Sequence, residues 1–275
     1  MREFALDLAL RAGELLLDYQ RRGLSGLLRA KSSHMDVVTE ADLAAEQLIV
    51  AAIRERYPGH AIFAEESAAE PSASADGGGL PDAEWVWYVD PVDGTTNYTH
   101  ALPMFGVNIG LAHWRVPVLG VTHAPALNRT WWAEEGGGAW LQHAGETRRL
   151  HVSTIPALNQ ALLATGFPYD RGTAPDNNLA EFTALDLRSQ AVRRLGTAAL
   201  AMTWVADGSL DGYWEKRAHA WDWLAGVVIV REAGGRATDF AGRDWEPGMR
   251  EMLATNGQAT LHEQVLAVLT AERAS

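Results

Sequence analysis

Two aspartates separated by two residues are the part of this sequence best suited to chemistry. Asp90 and Asp93 lie in the segment WYVDPVDGTTNYTH, residues 87–100, directly after an apolar and aromatic run. Two carboxylates held about 4 Å apart repel each other by roughly 4 kcal/mol at an effective dielectric constant of about 20. Either a shared proton or a divalent cation would compensate for this repulsion. The cation alternative requires further oxygen ligands, because Mg²⁺ takes about six of them in near-octahedral geometry.

Other acidic residues in the chain could supply these ligands. Glu65 and Glu66 end a predicted strand, and Asp222 lies in the first turn of a predicted helix, in the segment AWDWLAG. One such cluster alone would be interpreted as a solvated turn or a surface pair. Three clusters at the ends of elements, where a fold brings side chains together, favour a metal site built from oxygen ligands.

The elements that would position these acids are predicted from hydrophobic periodicity. Residues 84–90, EWVWYVD, are continuously apolar and aromatic, which is typical of a strand buried on both faces that ends at its aspartate. Residues 60–67, HAIFAEES, predict a shorter strand. A helix is expected from Thr39, which caps it with Asp42 three positions on, to the stop signal at 57–59. The apolar face of this helix is assigned to Leu43, Ala44, Leu48 and Ala51.

The rest of the chain predicts a mixed fold with two sheets. An amphipathic helix covers residues 1–23, and short strands separated by turns indicate an antiparallel meander over residues 105–142. From about residue 155 onward, helices and strands alternate. Residues 68–81 are rich in Ala, Gly, Ser and Pro and predict a flexible surface loop. We therefore expect a layered α/β (α+β) fold. One domain should span residues 1–275, with lobes at about 1–150 and about 151–275.

Composition restricts the classes of partner and of site. The 275 residues carry a formal net charge of −12, which disfavours binding to nucleic acid or to anionic membranes. The chain has no cysteine, which excludes disulfides, thiolate metal sites and cysteine nucleophiles and suits a cytoplasmic location. No segment has the roughly 18 uninterrupted apolar residues that a membrane span requires. Any metal must therefore be bound by oxygen or imidazole.

Several motifs together resemble one known family. DPVDGTTNYTH, with AEES upstream and WDWLAG downstream, is similar to the inositol monophosphatase family of magnesium-dependent, lithium-sensitive phosphatases. The resemblance covers nearly the whole chain, and the order and spacing of the motifs make it specific. It implies a layered α-β-α-β-α sandwich of the inositol monophosphatase and fructose-1,6-bisphosphatase type, usually as a homodimer. It also implies two to three Mg²⁺ ions per active site.

The resemblance assigns metal ligands to individual residues. One Mg²⁺ would be held by Glu65, Asp90 and the backbone carbonyl of Val92. A second would be held by Asp90, Asp93 and Asp222, so that Asp90 bridges the two ions. Two such cations stabilise the attacking and the leaving oxygen of an in-line displacement at phosphorus.

The resemblance also implies catalytic roles near the glycine of the motif. Thr95 would orient the nucleophilic water, its hydroxyl polarised by Asp42, and Glu65 would contact the same water. Backbone N–H groups of Gly94, Thr95 and Thr96 would point at the phosphate. Helix capping remains an alternative role for Asp42 and Thr95, and the two roles are compatible.

Substrate selection is expected from the second half of the chain. By resemblance, Glu215 would accept hydrogen bonds from hydroxyl groups of the alcohol. The backbone of Gly196, Thr197 and Ala198 would form a wall of the same pocket, and Asp93 and Asp222 would also contact the substrate. Lys31 would lie in a loop near the site. The sequence departs from the family pattern at Ala64, at Leu224 and in the charged segment KRAH at 216–219, and these departures concern substrate preference.

The expected activity is the hydrolysis of inositol 1-phosphate to myo-inositol and phosphate. The segment TTN at 95–97 resembles the inositol branch of the family, whereas the nucleotide and histidinol branches usually carry a lysine at its second position. Alternatives with the same chemistry are 3′-phosphoadenosine 5′-phosphate, histidinol phosphate and fructose 1,6-bisphosphate. An alternative from another class is a regulatory or interaction protein that keeps the fold, although such a protein has no need for mutually repelling carboxylates.

Overall fold

The computed structural model describes residues 1–23, 29–33, 36–67 and 79–273. Its helices are α1 (Arg2–Arg21), α2 (Glu40–Arg56), α3 (Thr95–Thr99), α4 (Leu179–Asp186), α5 (Ala198–Ala206), α6 (Ala220–Glu232) and α7 (Ala259–Arg273). The strands in the first half are β1 (Arg29–Ser33), β2 (Asp36–Val38), β3 (Ala61–Ala64), β4 (Trp85–Asp93), β5 (Gly106–His113), β6 (Val116–Ala124), β7 (Arg129–Glu134), β8 (Ala139–His143) and β9 (Glu146–Arg149). The strands in the second half are β10 (Leu162–Thr165), β11 (Ala191–Arg193), β12 (Gly212–Lys216), β13 (Arg236–Thr238) and β14 (Glu251–Thr255).

A seven-stranded sheet carries the first aspartate motif. Its strand order follows the chain from β3 to β9, with β3 parallel to β4 and all later neighbours antiparallel. The predicted meander is therefore confirmed, and β9 extends it. The prediction that the apolar strand over residues 84–90 ends at Asp90 is wrong, because β4 continues to Asp93 through a bulge. Pro91 has no N–H group for a regular ladder, which is compatible with an irregularity at this point.

A five-stranded sheet is formed by the second half of the chain. Its strand order is β11-β10-β12-β14-β13, and β10 pairs in parallel with both β11 and β12. The parallel arrangement follows from the predicted alternation of helices and strands, since a crossover is needed between parallel neighbours. Strand β12 carries Glu215, and the adjacent β10 ends beside it.

The elements stack in five layers. Helices α1 and α2 cover one face of the seven-stranded sheet. Helices α5 and α6 lie between the two sheets and contact strands of both. Helices α4 and α7 pack on the outer face of the five-stranded sheet, around the buried ring of Trp214. The predicted α-β-α-β-α sandwich is confirmed.

Close contacts bring α6 onto the seven-stranded sheet. A Cβ atom added at Gly120 would lie 2.2 Å from the carbonyl oxygen of Ala225 in α6. One added at Gly110 would lie 2.4 Å from a methyl carbon of Leu224. Glycine in β5 and β6 therefore permits a helix–sheet distance that a larger residue would increase, and α6 carries Asp222 at its first turn.

The predicted apolar face of α2 is wrong. The helix begins and ends as expected, but Ala51 is exposed and Leu43, Ala44 and Leu48 are only partly buried. The buried apolar residues are Ala41, Ala45, Ile49, Val50 and Ile53. The acids Asp42 and Glu46 lie on the buried side as well, because residues four apart share a face of the helix.

Two further expectations fall at the limits of the described structure. Lys31 lies in β1, which pairs with β2 in a two-stranded hairpin, so the prediction of a loop at this position is wrong. Its side chain is outside the described structure, as are residues 68–78 of the predicted surface loop. Within the described residues no helix has the length and apolar character needed to cross a bilayer.

Candidate metal centre and substrate pocket

Three aspartates from two distant segments converge at the end of β4. Asp90 and Asp93 come from the bulged end of that strand, and Asp222 comes from the first turn of α6. One carboxylate oxygen from each lies within 4.8 Å of the others. Asp90 and Asp93 are buried, with 1% and 8% of their surface exposed. The fold therefore brings Asp222 next to Asp90 and Asp93, as the sequence predicts.

Local hydrogen bonds hold the first aspartates in place. The N–H of Val92 donates to Oδ1 of Asp90 over 3.0 Å, which closes a tight turn across Pro91. Thr197 Oγ1 donates to Oδ2 of Asp93 over 2.7 Å. The N–H groups of Ala198 and Ala199 donate to Asp93 as well. Asp93 thus caps the start of α5 while it faces the cluster.

Asp222 is positioned by a residue that the sequence did not indicate. Asn108 Nδ2 donates to the carbonyls of Trp221 over 2.7 Å and of Asp222 over 3.1 Å. Asn108 lies opposite Asp90 in the β4–β5 pairing, so it connects the strand of one aspartate to the helix of another. The N–H of His219 also donates to the Asp222 carboxylate over 2.6 Å. A lone asparagine in an apolar strand carries no sequence pattern that predicts this role.

Burial and mutual repulsion shape the titration of the cluster. Burial raises the pKa of Asp90 well above its usual value, and the neighbouring charges of Glu65, Asp93 and Asp222 add to the shift. Burial likewise raises the pKa of Asp222 well above its ordinary range. Burial raises the pKa of Asp93 to about 6, although its hydrogen bonds from Thr197, Ala199 and Ala198 oppose the rise. Buried carboxylates with like charges beside them suit a hard divalent cation, which supplies the missing positive charge.

Glu65 lies beside this cluster, in a turn that follows β3. Its N–H donates to the carbonyl of Val89 over 3.1 Å. The N–H of Glu66 donates to Oε2 of Glu46 over 2.6 Å. Glu46 is a buried acid of α2 that sequence reasoning missed, because a glutamate in an amphipathic helix is usually solvated.

Thr95 and Asp42 meet, as the family resemblance implies. Thr95 Oγ1 lies 3.2 Å from Oδ1 of Asp42 and 3.1 Å from the carbonyl of Val92. The other oxygen of Asp42 accepts from the N–H of Thr39 over 3.1 Å in the predicted capping box. Asp42 therefore both caps α2 and contacts Thr95. Thr95 and Thr96 open the short helix α3, whose preceding residue Gly94 has φ +94°, a conformation that favours glycine.

The segment 196–198 is held against the aspartate turn. Asn97 Nδ2 donates to the carbonyls of Met104 over 2.7 Å and of Leu195 over 2.9 Å. A Cβ atom added at Gly94 would lie 3.2 Å from the carbonyl oxygen of Gly196. Gly196, Thr197 and Ala198 therefore border the turn that contains Asp93 and Gly94, where the family resemblance implies one wall of the substrate pocket.

Glu215, near the end of β12, lies close enough to Asp93 for the two charges to interact. Its carboxylate accepts a hydrogen bond from the hydroxyl of Tyr213. Burial raises the pKa of Glu215 to about 7, and the charge of Asp93 contributes to the rise. A Cβ atom added at Gly166 would lie only 2.0 Å from Oε1 of Glu215. The guanidinium of Arg194 stacks over the ring of Phe167 at 5.2 Å, next to Gly166.

An acidic cluster at the end of a strand in an α-β-α-β-α sandwich is the arrangement expected of a metal-dependent phosphatase. The model of the inositol monophosphatase family matches residues 1–274, and the chain belongs to this family.

Individual relatives agree with this assignment. An inositol-1-monophosphatase of Synechocystis is 39% identical over 269 residues, covering 98% of this chain and 88% of that protein. The Nus factor SuhB of Pseudomonas aeruginosa is 39% identical over 244 residues, covering 88% of this chain and 86% of that protein. A solved structure of inositol monophosphatase from Anabaena has a TM-score of 0.83 and 38% identity, covering 98% of this chain and 94% of that one.

Proposed function

We propose that this protein is a Mg²⁺-dependent phosphomonoesterase that hydrolyses inositol 1-phosphate to myo-inositol and phosphate. The observation that carries the proposal is the convergence of three buried aspartates, within 4.8 Å of one another, beside the Thr95–Asp42 contact. The relatives named as inositol monophosphatases support the choice of alcohol. Another small phosphomonoester, such as 3′-phosphoadenosine 5′-phosphate, histidinol phosphate or fructose 1,6-bisphosphate, is the alternative for the same chemistry.

The residues at hand fit the expected cations. Glu65, Asp90 and the Val92 carbonyl would hold one Mg²⁺, and Asp90, Asp93 and Asp222 would hold a second. All of these donors are oxygens, the ligands that Mg²⁺ prefers. When bound, the ions supply positive charge that stabilises the phosphoryl oxygens in the transition state and lower the pKa of water.

The chain's own side chains would orient the reactants. With its hydroxyl donating a hydrogen bond to the Asp42 carboxylate, the Thr95 oxygen would accept a hydrogen bond from the attacking water and orient it. Glu65 interacts with Asp90 and would contact the same water. The N–H groups of Gly94, Thr95 and Thr96 would hold the phosphate, since they precede or open α3.

The alcohol would be held on the opposite side of the phosphate. Glu215 has a carboxylate oriented by Tyr213, and it would accept hydrogen bonds from ring hydroxyl groups. The backbone of Gly196, Thr197 and Ala198 would close the pocket near the scissile bond. Asp93 and Asp222 would contact both the cations and the alcohol.

The direct test is phosphate release from a panel of phosphomonoesters at fixed Mg²⁺. The wild type should hydrolyse inositol 1-phosphate with the highest kcat/KM, while Asp93→Asn should lose at least about 100-fold of the activity. Asp82→Asn is a matched control, because Asp82 is exposed and precedes the other end of β4. Equal rates for wild type and Asp93→Asn would exclude metal-assisted catalysis at this cluster. A higher kcat/KM for another ester would keep the chemistry and reassign the substrate.

Two further properties belong to the same proposal. Millimolar lithium should inhibit the enzyme, and sedimentation should show a homodimer, since the family resemblance implies both. The predicted cytoplasmic location rests on composition and stays a prediction.

A binding function is the second candidate, because one of the relatives is named a Nus factor. A protein with this role alone should show no Mg²⁺-dependent phosphate release from any ester of the panel.

A further inference from the structure

Two consecutive cations follow Glu215 at the end of β12. Lys216 is buried, and its Nζ contacts the carboxylates of both Asp176 and Glu181. Burial alone lowers the pKa of Lys216, but its hydrogen bonds to Asp176 and Glu181 outweigh burial and raise that pKa. Lys216 is therefore a charged residue with two acidic partners, Asp176 in the segment that leads into α4 and Glu181 in the first turn of α4.

Arg217 forms a second connection to the same segment. Its Nη1 donates to Oδ1 of Asp170 over 2.9 Å, and its Nη2 donates to Oδ2 over 2.7 Å, a bidentate pair. The backbone of Arg217 has φ +66°, a region that glycine adopts with less strain. Its N–H donates to the carbonyl of Arg250 over 2.7 Å, which fixes this backbone conformation.

The acidic segment is a loop whose ends are tied together. Asn178 Nδ2 donates to the carbonyl of Gly166 over 2.7 Å and to Thr165 Oγ1 over 2.8 Å. Trp214 Nε1 donates to Asn178 Oδ1 over 2.8 Å, so the base of the loop is joined to β12. We name residues 166–178 the pocket loop.

The pocket loop lies against Glu215. Gly166 has no side chain where the Glu215 carboxylate passes, and Phe167 carries the Arg194 guanidinium on its face. Burial lowers the pKa of Arg194, and the positive charge of Arg171 in the loop adds to this effect. The loop thus presents aromatic and cationic groups at the side of the pocket where the alcohol would lie.

We propose that the pocket loop is the wall that selects the alcohol, and that Lys216 and Arg217 are positioning residues that hold this wall against Glu215. The inference rests on the proposed phosphatase activity and extends it to the residues that set substrate preference. Glu215 and both cations come from the end of β12, whereas the clustered aspartates come from β4 and α6. A shift of the loop should therefore change the pocket without displacing those aspartates.

The main alternative is that these ion pairs serve stability alone. The Arg217–Asp170 pair is partly exposed, with side chains 31% and 49% accessible, and such pairs contribute little to stability. Arg217→Gly also relieves the strain at positive φ. A change in substrate affinity without a loss of thermal stability would therefore separate positioning from structural support.

The experiment compares two substrates of different reach. Under this proposal inositol 1-phosphate would extend to the pocket loop, whereas ethyl phosphate, which has no ring, would not reach it. Arg217→Gly and Asp170→Asn should each raise KM for inositol 1-phosphate about three- to fivefold, with kcat nearly unchanged. Neither variant should alter the kinetics with ethyl phosphate. Arg148→Gln, an exposed arginine of β9, is the matched control and should behave as the wild type.

Additional variants test whether the ion pairs of Arg217 and Lys216 hold the pocket loop. The double variant Arg217→Gly/Asp170→Asn should raise KM no further than either single change, because both remove one pair. Arg217→Lys should give an intermediate KM, since one ammonium replaces a bidentate fork. Asp176→Asn should have the smallest effect, because Glu181 still contacts Lys216.

The outcomes distinguish the two levels of the proposal. Unchanged KM for inositol 1-phosphate in Arg217→Gly and Asp170→Asn would overturn the positioning role, and so would equal losses with both substrates together with a lower Tm. If the wild type releases phosphate from neither ester and from no other member of the phosphomonoester panel, the proposed phosphatase activity fails instead.

Discussion

The side of the proposed pocket that we assign to the metal ions (the metal side) and the side that we assign to the alcohol (the alcohol side) are built in different ways. On the metal side, Asp90, Asp93 and Thr95 come from one short segment, and buried hydrogen bonds fix each of them. On the alcohol side, Glu215 is a single residue of β12 that faces a loop held by ion pairs, some of them partly exposed.

The difference teaches which features of the pocket can vary independently. A shift of any aspartate alters a cluster in which every charge affects the others, so the metal side acts as one unit. The alcohol side depends on pairwise contacts between separated segments, and each can change without disturbing the cluster. We therefore expect catalysis to depend on the first side and substrate preference on the second.

The largest effect should come from Asp90→Asn. Because Asp90 would bridge two cations, its amide replacement should lower kcat/KM for every ester by at least about 100-fold. Removal of one charge from a buried like-charged group should leave the metal-free fold intact, as circular dichroism and thermal unfolding would show. Activity close to that of the wild type would mean that the two sides of the pocket are not divided as described.

A smaller loss is expected at Thr95, where two variants sharpen the metal-side assignment. Thr95→Val keeps the shape but removes the hydroxyl, and it should lower kcat by about 10- to 100-fold with little change in KM. Thr95→Ser keeps the hydroxyl and should retain most of the activity. If valine and serine give the same kcat, the contact with Asp42 serves only to stabilise the fold.

A still smaller and more selective effect is expected at Glu215. Glu215→Gln keeps the size but weakens acceptance of hydrogen bonds from hydroxyl groups, which should raise KM for inositol 1-phosphate about fivefold to tenfold. Ethyl phosphate, which carries no ring hydroxyl groups, serves as the control substrate. An equal loss with both esters would assign Glu215 to the metal side.

The smallest effect is a pH dependence of stability in the metal-free protein. Burial raises the folded-state pKa of Glu215 to about 7 and of Asp93 to about 6, above their unfolded values. The stability that these groups contribute is therefore fully present below their unfolded pKa values, and it is lost as pH rises through about 6 to 7. Burial lowers the pKa of His123 and of His262 to about 4, which reduces stability only below pH 6.5.

Urea unfolding with EDTA between pH 6.5 and 8 isolates the acids. The free energy of unfolding should fall by about 1 kcal/mol over this range, and Mg²⁺ should remove the fall because cations replace protons on the carboxylates. The same Mg²⁺ stabilisation at pH 6.5 and pH 8 would contradict a metal site made of these acids.

The acids of the metal side could largely be predicted from the sequence, for physical reasons. The aspartate motif is contiguous and follows a strand with a clear hydrophobic pattern, and Asp222 lies in the first turn of an apolar helix. The boundary of β4 was missed because a bulge carries the ladder past Pro91 to Asp93. Asn108 and Glu46 were missed because a polar residue in a buried strand or an amphipathic helix shows its partner only in three dimensions.

The alcohol side was accessible only in part. Glu215 was found through family resemblance. The ion pairs beside it were not found, because Lys216 pairs with Glu181, which is 35 positions away. Pairings of this kind leave no periodic pattern in a single sequence. The buried face of α2 was assigned wrongly for a related reason, since its many alanines and leucines are compatible with more than one apolar stripe.

The central claim is that Asp90, Asp93 and Asp222 bind divalent cations together, and Mn²⁺ gives the most direct measurement. Crystals soaked in Mn²⁺ should show anomalous difference peaks between these three carboxylates, and Asp93→Asn should weaken or remove at least one of them. Crystals of the wild type that show ordered carboxylates and no peak among them at saturating Mn²⁺ would contradict the account.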